Sequence, residues 1–178
     1  MKLHERLVFD TADGAVLDAS RRYVLLRADV LMGVFDALPA AARDAALRAF
    51  GRSVATHGAD SLRAYAAAPG VDGAALQRSV ESAAASLGWG RWSLADDGAT
   101  LRLEVRNSPF AAATSASSTR PACDAIAGML EALATIVFGA GASARETACA
   151  ANGAPCCRFS AARASSFPLP EPTQEMSP

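Results

Sequence analysis

Two runs of alternating apolar and polar residues, Trp89 to Leu94 and Thr100 to Val105, flank the turn sequence Ala95-Asp96-Asp97-Gly98-Ala99. Period-two alternation sends every second side chain to one face of a strand, so this stretch reads as a β-hairpin with one face for a core. The segment before it has a helical period. From Asp29 onward, Val30, Leu31, Val34, Phe35 and Leu38 recur at three- and four-residue spacing. A second helix opens after Pro39 and keeps its apolar positions through Leu47, Phe50 and Val54. His57-Gly58 is a candidate kink or end, and Ser61 to Ala67 continues helical. Pro69-Gly70 breaks the pattern, and a third helix spans Ala74 to Leu87, closed by Gly88.

Residues 7–27 read as two or three short strands ending in Tyr23-Val24-Leu25-Leu26. Beyond the hairpin, 111–120 reads as a polar loop and 121–138 as a fourth helix stopped by Gly139-Ala140-Gly141. Two last strands, about 143–150 and 156–162, enclose the turn Ala151-Asn152-Gly153-Ala154-Pro155. This order predicts a single α+β domain over residues 1–162, with an antiparallel sheet packed against helices. Residues 163–178 contain Pro168, Pro170, Pro172 and Pro178 with little to bury, which predicts a disordered tail.

The chain has 178 residues, 51% of them apolar and only 6% aromatic, so one sizeable core must be built mostly from small and aliphatic side chains. The net charge of -1 supplies no cationic excess for a phosphate backbone, and nucleic acid is not expected as a partner. Lys2 is the one lysine, and arginine supplies the remaining bases. Met1 to Arg6 mixes acid and base without a following apolar run, so it does not read as a secretory signal. The most apolar stretch, 122–142, is interrupted by Asp124 and Glu131 and falls short of a membrane span. A cytoplasmic protein is expected, in which four cysteines serve as thiols or metal ligands.

Those cysteines carry most of the chemistry. Glu146 and Cys149 straddle a predicted strand, Cys149 and Cys157 lie across a turn, and Cys123 opens the helix leading into that strand. Three thiolates and one carboxylate could converge on a closed, four-coordinate site suited to zinc. No C-x-x-C knuckle is present, and the competing reading is of buried, apolar thiols.

The stretch Cys123 to Gly128, then Gly139-Ala140-Gly141, then Glu146-x-x-Cys149-x-x-x-Gly153-x-x-x-Cys157-x-Phe159, resembles the C-terminal signature of the 4-vinyl reductase-type domain family. Gly88-Trp89-Gly90 before a hairpin, and Arg22-Tyr23 before the first helix, resemble it too. That family includes proteins of bacteriochlorophyll synthesis, stand-alone hydrocarbon-binding proteins and the sensor domains of phenol- and xylene-responsive activators; the vesicle-tethering TRAPP subunits are more distant. The resemblance implies that fold, a homodimer, and a structural zinc held by Cys123, Glu146, Cys149 and Cys157. Cys156 is left as a packing residue, and Arg145 or Arg158 as a counter-charge to the site or a solvated strand face.

The resemblance and the absence of catalytic groups together imply a binder of a small aromatic, hydrocarbon or tetrapyrrole-like ligand, acting as sensor or carrier through a protein partner. No G-x-S-x-G, Ser/His/Asp set or dinucleotide fingerprint is visible, and Gly139-Ala140-Gly141 lacks the lysine of a phosphate loop. Candidate ligand contacts are His57, Trp89, Trp92 and Phe110, with Trp89 and Trp92 expected on opposite faces of one strand. Two alternatives stand beside this reading: a part in tetrapyrrole vinyl reduction, and a dimerisation module with a filled core and no ligand.

Overall fold

A computed structural model describes residues 3–67, 69–115 and 120–164. The chain runs α1 (Leu3–Arg6), β1 (Val8–Asp10), β2 (Ala15–Asp18), β3 (Arg21–Tyr23), α2 (Ala28–Asp36), α3 (Ala40–Ala66) and α4 (Gly73–Ser86). It continues through β4 (Arg91–Asp96), β5 (Thr100–Arg106), α5 (Pro109–Ala113), α6 (Asp124–Phe138), β6 (Ala142–Ala148) and β7 (Cys157–Arg163). The class is α+β, as expected, but the strands form two antiparallel sheets. One is the meander β1-β2-β3, and the other has the order β4-β5-β7-β6. They separate because the β2–β3 ladder ends at Tyr23 and residues 24–27 lead out of the sheet into α2.

The predicted hairpin forms, with Arg91 opposite Arg106 and Asp96 opposite Leu101. Alternation then builds the core: Leu101, Leu103 and Val105 of β5 and Cys157, Phe159 and Ala161 of β7 are buried. Against them lies α6, whose Ile126, Leu130 and Leu133 are fully covered. Gly139, at φ +62°, gives α6 its left-handed cap.

α3 runs unbroken through His57-Gly58. Its buried side extends past them to Ala59 and Leu62, and Gly58 faces the Met129 side chain, leaving no room for a Cβ there. Three further departures are local. Ser108 accepts a hydrogen bond from the Ala111 amide and Pro109 occupies the first helical position, so α5 stands where a polar loop was expected to begin. α6 starts at Asp124 with Cys123 as its cap. Finally, the four-residue α1 lies on α4, where His4 Nδ1 meets Ser86 Oγ at 3.1 Å.

Beyond Ala164 the expected tail lies outside the described residues, while Arg163 pairs with Ala142 inside the sheet. Among the described residues no helix is long and apolar enough to cross a membrane.

Candidate functional site: a thiol cluster and an adjoining cavity

Three elements deliver the four predicted donors to one point. Cys123 caps α6, Glu146 lies on β6, Cys149 follows the end of that strand, and Cys157 begins β7. Their donor atoms all lie within 4.8 Å of one another. Cys123 Sγ and Cys157 Sγ are 3.7 Å apart, against about 3.8 Å for the edge of a tetrahedron with Zn–S bonds of about 2.3 Å. The three thiols are buried, and Glu146 Oε2 accepts the Cys123 backbone N–H at 3.1 Å. The other oxygen, Glu146 Oε1, is buried and lacks a hydrogen-bond partner among the described residues. A carboxylate oxygen left this way is costly unless a cation meets it. The donor chemistry, spacing and orphaned oxygen therefore fit a four-coordinate metal ion.

Electrostatics agree with that reading. Burial, followed by the charge of Cys149, raises the Glu146 carboxyl to about 8. Hydrogen bonds from Cys123 and then Cys157 hold Cys149 far below the ordinary thiol range, and the Cys123 thiol is pushed far above it by the same contact with Cys149. Without a cation the cluster thus concentrates negative charge on one sulfur. Ser108, a residue sequence reasoning missed, stands 3.3 Å from Cys123 Sγ, and the Ala150 N–H donates to Cys157 Sγ at 3.3 Å. The Ser-Pro helix cap was the available signal for Ser108. Cys156 is buried but outside the quartet. Arg145 and Arg158 are exposed, and Arg158 reaches Glu104 at 3.7 Å instead of the cluster.

Further along α6, whose Met129 joins its wall, a half-open cavity of about 350 Å³ is bounded by α3, α4, β3 and the start of the hairpin. His57, Trp89 and Trp92 line it. The tryptophans were expected on opposite faces, yet both reach the cavity. Trp89 precedes β4, and Gly90 at φ +95° turns the chain between them, so strand alternation does not apply. Trp92 Nε1 donates to the Trp89 carbonyl at 3.1 Å, whereas the Trp89 indole N–H has no partner among the described residues. His57 is exposed at the rim. Phe110 does not line the cavity; it supports Trp89 edge-on, with ring centroids 5.3 Å apart. Met129, Tyr23 and Tyr65 are lining residues the sequence reading left out. His57, Ser61 and Tyr65 recur at i, i+4 and i+8 on α3, a polar stripe that could have marked the cavity wall.

Residues 101–163 match the 4-vinyl reductase domain family, a span holding α6 and all four donors. In structure the chain is similar to the phenol-responsive sensory domain of the transcription activator PoxR, crystallised with phenol. The TM-score is 0.76 and the identity 18%, covering 90% of this chain and 86% of that one. A vinyl-4-reductase family protein from Methanocaldococcus jannaschii aligns at TM-score 0.41 and 19% identity, over 50% of this chain and 60% of that one. No curated protein matches the chain in sequence.

Proposed function

We propose that residues 1–162 form a non-catalytic small-molecule-binding domain that takes an aromatic or hydrocarbon-like ligand and acts as sensor or carrier through a protein partner. The observation that carries this reading is the 350 Å³ cavity with two tryptophans in its wall, a size within the range of small-molecule sites. The unpartnered Trp89 N–H and the rim imidazole of His57 supply directional contacts, and the apolar wall supplies affinity. The phenol-bound sensory domain that shares this fold supports the same reading. A module with a filled core would have no such cavity.

In this reading the quartet holds a structural zinc. The ion would neutralise the thiolates and tie the start of α6 to the β6–β7 corner, and three cysteines with one glutamate leave no open position for activating water. The chain would act as a homodimer. Val24 (81% exposed), Leu25 (70%) and Leu26, with the Val30–Val34–Leu38 stripe of α2, present a run of uncovered apolar side chains suited to a second copy. Four unpaired cysteines favour a reducing, cytoplasmic setting.

Native mass spectrometry of the protein purified without added metal or ligand tests all three points. A dimer with one zinc per chain and a retained organic mass is the expected result. A metal-free species that also leaves its tryptophan fluorescence unchanged on titration with aromatic compounds overturns the reading.

A further inference from the structure

Resting on that reading, we propose that the ligand is an amphipathic anion, with an apolar body against Trp89 and Trp92 and an acidic head group beside Arg21 and Arg22. The chain has nearly equal numbers of acidic and basic side chains, 18 and 17, yet the cavity wall contains both of these arginines and no aspartate or glutamate. The asymmetry is local, so it is not a consequence of overall composition.

Neither arginine is already neutralised. Arg21 forms no hydrogen bond or ion pair among the described residues, and Arg22 gives one N–H to the Gly14 carbonyl at 3.1 Å, which leaves most of its donors free. Asp18, opposite Arg21 across the β2–β3 ladder, is taken by Arg6: Arg6 Nη2 lies 2.6 Å from Asp18 Oδ2 and 2.8 Å from Tyr65 Oη. That bridge withdraws the neighbouring carboxylate from competition and ties α1, β2 and α3 together behind the arginines. Tyr23 and Tyr65 add hydroxyls to the same corner of the wall. A carboxylate or similar anion entering there meets two guanidiniums able to chelate it, while Leu62, Val80 and Trp92 exclude water from the apolar remainder.

Calorimetric titration of the full chain with 2-naphthoate and with 2-naphthamide, a neutral probe of nearly the same shape, tests the proposal. Naphthoate is expected to bind at least about tenfold more tightly at low salt, and the preference should shrink as ionic strength rises. In the double variant Arg21→Gln, Arg22→Gln the preference should vanish while naphthamide affinity stays within about twofold, which also shows that the variant is folded. Equal affinity of the wild type for both probes overturns the anionic head group and leaves the cavity reading intact. A preference that survives the double substitution overturns the assignment to these arginines. Failure of both probes to bind overturns the cavity reading and this inference with it.

Discussion

Gly51 of α3 and Gly128 of α6 meet so closely that a Cβ on Gly128 would stand 2.0 Å from the Gly51 carbonyl oxygen. A Cβ on Gly51 would likewise lie 2.6 Å from the Asp124 carbonyl oxygen. Both obstacles are backbone atoms, so no side-chain rotation relieves them. The crossing brings α3 close enough to α6 for His57, Gly58 and Met129 to share one cavity wall.

Gly128→Ala is therefore expected to force the two helices apart and to lower stability by about 1–3 kcal/mol. Gly73→Ala, at the start of α4 where a Cβ meets nothing within 4 Å, serves as the comparison. Urea melts of both variants check this; equal midpoints would contradict the tight crossing.

Cys149→Ser should strip bound metal and lower the melting temperature, since metal binding and folding are coupled. Cys156→Ser should keep full metal content, because that sulfur lies outside the quartet. Metal analysis by mass spectrometry, alongside thermal melts with and without chelator, reads both. Metal retained in the Cys149 variant would remove it from the donor set.

The Asp36 carboxyl answers to pH. Burial pushes it up, but the Ser115 N–H, the Arg43 guanidinium and the Thr114 hydroxyl together hold it below its ordinary value of 3.8. A carboxyl depressed in the folded state stabilises fully above its unfolded pKa, and that contribution drains as pH falls through the folded value. The difference in melting temperature between wild type and Asp36→Asn should be largest above about pH 5 and shrink steadily toward pH 3. A difference that stays constant across this range would show that the charge of Asp36 contributes nothing.

Val34 is 63% exposed in the middle of the apolar stripe of α2. If that face joins two copies, Val34→Asp should yield a monomer with an unchanged circular-dichroism spectrum, since a charge is not tolerated in the centre of an apolar interface. Light scattering at micromolar concentration decides it. A wild type that is already monomeric there would end the assignment of this face.

Most of the helices and the β4–β5 hairpin were legible because their periods are clean and their ends are punctuated: Asp72 caps α4 by accepting from Ala75, and Gly88 and Gly139 take the positive φ values that close α4 and α6. Cys123, Glu146, Cys149 and Cys157 were legible as a set only through spacing shared with a known family, because helix, strand and turn bring them together from three different elements. The split into two sheets was not legible: strands of three or four residues carry too little pattern to name their partners. Nor was the placement of Trp89, where one left-handed glycine overrides alternation. Arg21 and Arg22 escaped notice for a related reason. Exposed arginines on a short strand look like solvated surface until the opposite wall is known.

α6 bears Cys123 at its cap and Met129 in the cavity wall, six residues further on. That interval is less than two helical turns, roughly 9 Å along the axis. No loop or hinge stands between the two sites to absorb a displacement, so the thiol corner and the ligand chamber move as one lever. Loading the corner with an ion sets the shape of the chamber, and ligand affinity measured on metal-depleted protein belongs to a different receptor.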